Sequence, residues 1–283
     1  MSKQHSDGFV DVGGLRLHFE KWGTGPRVLI GLHGTSLHGK VWERLAQALS
    51  DEFTIYGLDQ RGHGDSEAAP AGQYTVDFYA TDLALFIDAL GLERVAFAGS
   101  SLGSRVALAY SARHVDRVER LALLDLSFEM PKHASDAMIA AHISRPRTFA
   151  NFDEALVFSR TLPQRKRFSD ELHISTLKGD LRQNPDGRLE WRYNRDVAIE
   201  TLSVAARDMW PEVRAVEAPV LLLRGAESDV LVESTLSRLL KEFQHAQLVT
   251  IPNAGHSIWG DNPIATTAAL KHFIEGEELA LTN

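Results

Sequence analysis

Apolar and polar positions alternate near the start of the chain. Phe9–Val12 and Leu15–Trp22 follow a two-residue period on either side of Gly13-Gly14, which predicts an antiparallel hairpin. The pattern then changes. Val28–Leu32 is a continuous apolar run ending at His33-Gly34, and similar runs recur at Phe53–Leu58, Val95–Ala98, Leu121–Leu124, Val220–Leu223 and Leu248–Ile251. Such runs suit strands covered on both faces, as in a parallel sheet. Between them, Val41–Leu49, Asp77–Leu90, Leu102–Arg113, Thr235–Phe243 and Ile264–Ile274 carry apolar residues three and four apart, the spacing of a helix buried on one side. Strand and helix therefore alternate, and the expected fold is α/β, with a mostly parallel sheet and helices on both faces. The alternation fails once. From 128 to 208 the chain looks helical, is rich in Arg and His, and holds no buried-strand run. Structureless loops of that length are uncommon, so a helical cap inserted between the sixth and seventh strands is expected. The predicted organisation is a core of 1–127 and 209–283 with a cap of 128–208.

Composition narrows the class. Of 283 residues, 44% are hydrophobic and 24% charged, ordinary for a chain with a substantial core. The formal charge is −8 and there is no dense Lys/Arg run, so the basic footprint of a nucleic-acid binder is missing. Without cysteine, thiolate metal sites, iron–sulfur clusters, thiol catalysis and disulfides are excluded. The polar N-terminus lacks the apolar core of a signal peptide, and no stretch approaches the roughly 18 apolar residues of a membrane helix. A cytoplasmic, soluble protein is expected, as monomer or homodimer, acting on a small molecule and not on nucleic acid or membrane.

The most informative stretch is Val95-Ala96-Phe97-Ala98-Gly99-Ser100-Ser101-Leu102-Gly103. An apolar strand runs into Gly-x-Ser-x-Gly and a helix pattern starts at once. A tight strand–turn–helix lifts one hydroxyl above a sheet and needs small residues two before and two after it. Gly99 and Gly103 take those places, which makes Ser101, and not Ser100, the candidate nucleophile. A serine needs a base. His256, in Ile251-Pro252-Asn253-Ala254-Gly255-His256, stands out among twelve histidines because it follows a strand end and a glycine near the end of the chain.

These features, with His33-Gly34-Thr35 and Asp59-Gln60-Arg61-Gly62-His63-Gly64-Asp65-Ser66, resemble the α/β-hydrolase superfamily over nearly the whole chain outside the insertion. The resemblance implies an eight-stranded sheet, a lid after strand six, a Ser/acid/His triad, and no metal or organic cofactor. It also implies an oxyanion hole from the backbone N–H groups of Thr35 and Leu102, and a structural role for Asp59–Ser66. His33, His38 and His63 have no carboxylate at ligand spacing beside them, and no metal site is expected.

Two residues compete as the triad acid. Most of the family carry it three residues beyond the glycine ending strand seven, but in Gly225-Ala226-Glu227-Ser228-Asp229 that place holds Ser228, and Asp229 comes one residue late. Asp125 ends strand six, the source of the acid in some relatives, (acetamidomethylene)succinate hydrolase and several haloalkane dehalogenases among them. The register shift favours Asp125, with Asp229 the alternative. The insertion holds nine arginines from Arg145 to Arg195. Arg192, flanked by Trp191 and Tyr193, is the candidate to bind a substrate carboxylate. Trp42, Phe128 and Trp259 are candidates for an apolar pocket wall, and equally for the core. The leading reading is a serine hydrolase of a small ester, lactone, amide or activated carbon–carbon bond. The alternative is a slow-turnover ligand receptor built on the same fold.

Overall fold

The computed structural model describes residues 4–126, 128–129, 132–204 and 207–276. The chain opens with the hairpin β1 (His5–Val12) and β2 (Leu15–Trp22), then β3 (Arg27–Leu32), α1 (Glu43–Leu49), β4 (Phe53–Leu58), α2 (Val76–Ala89), β5 (Val95–Ser100), α3 (Leu102–Arg113) and β6 (Val118–Leu124). The insertion supplies α4 (Lys132–Ser144), β7 (Thr148–Phe149), α5 (Phe152–Thr161), α6 (Asp170–Asp180), β8 (Leu181–Gln183), β9 (Leu189–Trp191) and α7 (Arg195–Ser203). The core resumes with α8 (Trp210–Ala215), β10 (Val220–Gly225), α9 (Glu233–Glu242), β11 (Ala246–Ile251), α10 (Ile258–Asp261) and α11 (Pro263–Glu275).

Eight strands form one sheet in the order β1-β2-β4-β3-β5-β6-β10-β11. Only the β1/β2 and β2/β4 pairs are antiparallel. The apolar runs explain why the sheet is covered twice. Phe97, Leu121, Leu123 and Leu222 pack with Phe86, Val106 and Leu236 on one face. Their neighbours Ala96, Ala98, Ala122, Leu124 and Leu223 pack with Leu45, Leu270 and Phe273 on the other. Alternate side chains of one strand point to opposite faces, so a run without polar interruption feeds both layers. Because β3, β5, β6, β10 and β11 are parallel neighbours, the loops leaving them crowd along one edge of the sheet.

The insertion differs from its expectation in one respect. It contains a small antiparallel sheet, β7-β9-β8, as well as helices. Its own apolar cluster centres on Phe149, Leu177, Trp191 and Tyr193. Among the described residues no helix is long and apolar enough to cross a membrane.

Candidate active site

The turn after β5 is tight because two glycines let backbone touch backbone. A Cβ on Gly103 would run into the Leu32 carbonyl, and one on Gly99 into the Gly103 carbonyl. Between them Ser101 holds φ 52° and ψ −110°, a backbone region that L-residues occupy only when the surroundings impose it. Its N–H donates to the Leu124 carbonyl at 3.1 Å, and the Ser104 hydroxyl donates to the Gly99 carbonyl at 2.6 Å. The bend is thus tied to both β5 and β6.

The next strand ends in a second strained residue. Asp125 has φ 49°, and its N–H donates to the Leu223 carbonyl at 2.7 Å. Its carboxylate is fully buried. Oδ2 lies 2.6 Å from His256 Nδ1 and accepts the Ser228 hydroxyl at 2.6 Å. A carboxylate only accepts, so Nδ1 carries the proton and Nε2 keeps its lone pair. His256 is partly exposed and rides on the loop after β11. That loop is held by Asp261, which accepts the Gly255 N–H at 2.8 Å.

Of the two candidate acids, the structure brings Asp125 to the imidazole and leaves Asp229 exposed. Ser228, standing where an acid was sought, instead donates its hydroxyl hydrogen bond to Asp125. Its oxygen also accepts the Val230 N–H at 3.2 Å. The register shift was the visible sign of this residue, but the contact itself spans 103 positions and has no local pattern.

The loop after β3 borders the same bend. A Cβ on Gly34 would stand 3.3 Å from Ser101 Cβ, so the turn that leads into Thr35 passes beside Ser101. Leu102 opens α3, where the first N–H groups have no partner within the helix. His33 is spent on structure: Nδ1 donates to the Gly34 carbonyl at 2.8 Å and Nε2 accepts the Gln60 N–H at 3.1 Å. Burial pushes it down to about 3, so it stays neutral. Asp59 accepts from His18 Nδ1 at 2.7 Å, Gly39 N–H at 2.5 Å and Asp65 N–H at 3.0 Å. The buried Arg61–Asp82 pair braces the following turn through two 2.6 Å bonds.

A family model for the alpha/beta hydrolase fold matches residues 27–263. The chain is an α/β-hydrolase. It is 30% identical to the 3-hydroxybutyrate-oligomer hydrolase of Cupriavidus necator, over 91% of this chain and 94% of that one. It is 29% identical to the 2-(acetamidomethylene)succinate hydrolase of Mesorhizobium japonicum, over 94% of each. The crystal structure of E-2-(acetamidomethylene)succinate hydrolase superposes with a TM-score of 0.89 at 26% identity, covering 96% of this chain and 100% of that one.

Two of the aromatic candidates fall on the core side of their expectation. Trp42 is core, with its indole against Gly31 on the α1 side of the sheet. Phe128 is buried edge-on to Trp210 at 5.0 Å. Arg192 reaches Asp65 at 2.6 Å, so its guanidinium already has a carboxylate. Arg192 and half-buried Trp259 line an outer cleft of about 500 Å³ whose lining includes none of Ser101, Asp125 and His256. His18, Asp59 and Asp65 in that cleft offer ligand atoms within 4.8 Å of one another, but both Asp59 oxygens are occupied by the bonds above. His38 does find a carboxylate, from the insertion: Asp180 at 3.3 Å.

Proposed function

We propose that the protein is a serine hydrolase that cleaves a short ester through an acyl-enzyme on Ser101, beneath a cap formed by residues 128–208. The observation carrying this reading is the 2.6 Å contact between Asp125 and His256 Nδ1, on the sheet edge where Ser101 is held in its strained bend. His256 Nε2 takes the hydroxyl proton as Ser101 Oγ bonds to the ester carbonyl carbon. The carbonyl oxygen becomes an alkoxide held by the Thr35 and Leu102 N–H groups, and the imidazolium is stabilised by Asp125. Each such N–H is worth about 3–4 kcal/mol in the transition state. Collapse of the intermediate expels the alcohol with the proton from His256. Water then repeats the sequence, releasing the acid and restoring Ser101.

An ester is favoured because an oligomer of a hydroxy acid, named for the relative in Cupriavidus necator, is joined by ester bonds. The likeness to (acetamidomethylene)succinate hydrolase supports a second reading, an amide, at the same residues. The test is a fluorophosphonate probe followed by intact-protein mass spectrometry, beside hydrolysis of p-nitrophenyl butyrate. One adduct on wild type, none on Ser101→Ala, and multiple turnovers are expected. Labelling that survives in Ser101→Ala, or a single burst without turnover, would overturn the reading.

A further inference from the structure

Eight of the ten arginines in the insertion pair with a carboxylate. Arg188 is exposed. Arg145, between α4 and β7, is neither. It is 7% exposed, and among the described residues no carboxylate lies within ion-pair distance. Its Nη1 donates to the Tyr193 hydroxyl at 2.9 Å and to Ser36 Oγ at 3.4 Å, while Nε is buried without any partner. Burying a guanidinium without a counter-charge costs several kcal/mol, so a protein that retains one gains from it at another step.

The position is informative. Ser36 follows Thr35, and Gly34 abuts Ser101, so the guanidinium stands one side chain away from the loop that holds the oxyanion. Tyr193 is buried and fixes it from the far side, its hydroxyl 3.5 Å from His142 Nδ1. Two further polar atoms around this point are sealed from water and unpaired: Thr35 Oγ1 and His63 Nε2. His63 lies against Tyr193, ring centroids 6.5 Å apart, and its Nδ1 donates to the Arg61 carbonyl at 2.9 Å, which leaves Nε2 as a bare acceptor. An uncompensated cation and an unpaired Thr35 hydroxyl beside an oxyanion loop can both donate to a negatively charged part of a ligand, while His63 Nε2 can only accept from a donor on it.

We propose that Arg145 binds a carboxylate of the substrate, which makes the protein a hydrolase of short esters bearing a free acid group. This rests on the serine-hydrolase reading and assigns to Arg145 the role that the sequence suggested for Arg192. A planar guanidinium with its fork free at Nε matches a carboxylate in two parallel bonds. Lysine in its place keeps the charge and loses the fork.

Monoethyl succinate and ethyl butyrate have four-carbon acyl chains and differ in the terminal carboxylate. Wild type is expected to favour the acidic ester in kcat/KM by at least about 10-fold, the order of one charge-assisted hydrogen bond. Arg145→Gln should remove that preference through KM, leave ethyl butyrate within about 3-fold, and keep the fluorophosphonate adduct; Arg145→Lys should restore part of it. Equal loss on both esters with labelling intact would overturn the assignment. Calorimetry separates this from the chemistry: Ser101→Ala should bind succinate, and Ser101→Ala/Arg145→Gln should not. If labelling of wild type fails while that difference holds, the nucleophile is wrong and the carboxylate site stands. Succinate bound equally by both variants would remove it. Should Arg145→Gln unfold, Tyr193→Phe, which frees the guanidinium from its hydroxyl partner, should raise KM for the acidic ester alone; an unchanged KM would count against the site.

Discussion

Asp125 works through two contacts on one oxygen, and each makes a separate prediction. In the proposed mechanism Asp125 orients the imidazole and stabilises its charged form, so Asp125→Asn should lower kcat by about 10⁴, with Asp229→Asn near wild type. Initial rates on p-nitrophenyl butyrate check this, and the reverse pattern would move the acid to Asp229. Ser228 donates to the same oxygen at 2.6 Å. A hydrogen bond to a charged group contributes about 1.5–3 kcal/mol, and Ser228→Ala leaves a buried carboxylate with less support. It should lower kcat about 10-fold with little change in KM, since Ser228 touches the acid and not the substrate, whereas Ser228→Thr should recover most of it. That Asp125 and not Asp229 would stand against His256 was legible because a one-residue slip in Gly225–Asp229 is visible by counting. The role of Ser228 was not, since nothing in a sequence records which hydroxyl meets which carboxylate across two strands.

At the scale of elements, legibility follows burial and length. The hairpin β1–β2 was read from alternation and the other six strands of the large sheet from apolar runs, which coverage on both faces leaves with few polar residues to blur them. The small sheet in the insertion was invisible: β8 and β9 span three residues each, too few to show any period. Likewise, no local feature separates Arg145 from nine neighbouring arginines; only packing reveals which one lacks an acid. The insertion also reaches the loops that carry Ser228 and His256. Arg167 pairs with Glu227, next to Ser228, and lies 3.5 Å from Asp261, the residue holding Gly255 beside His256. The Glu227 N–H in turn donates to the Ala254 carbonyl at 2.8 Å. One guanidinium therefore fastens both loops that meet at the imidazole. Displacing a reacting group by a fraction of an ångström to 1 Å costs about 10–100-fold, so Arg167→Ala should slow fluorophosphonate labelling about 10-fold. Faster amide exchange over residues 252–258 should accompany it. An unchanged labelling rate would limit Arg167 to a surface tether.

Across the whole molecule, three histidines tie stability to pH. Burial holds His33 at about 3, His63 at about 4 and His142 at about 3, with the Arg145 charge adding to the effect on His142. All three are neutral when folded and regain an ordinary imidazole, near 6.5, on unfolding. Between 6.5 and about 4 the unfolded chain therefore binds more protons, and stability rises with pH. The contribution is complete above 6.5 and is lost as the pH falls toward 4. His18 has the opposite sign: burial lowers it, but the Asp59 hydrogen bond and the charges of Asp59, Glu20 and Asp65 together raise it. Its contribution is full below 6.5 and declines as the pH rises through its folded value, so it does not offset the loss on the acid side. Asp59 and Asp180, both lowered, add a loss only below their ordinary carboxylate range. Each histidine contributes a slope of about 1.4 kcal/mol per pH unit, or about 4 for the three, against a total stability of about 5–15 kcal/mol for typical domains. Urea unfolding at pH 7, 6, 5 and 4.5 should show the midpoint falling steeply below pH 6, with the protein unfolding cooperatively between pH 5 and 4. His142→Leu should reduce the slope by about 1.4 kcal/mol per pH unit, provided the unfolding m-value stays constant. A midpoint that is flat from pH 7 to 4.5 would mean that these imidazoles take up protons in the folded state, and the cluster around Tyr193 would then be open to water.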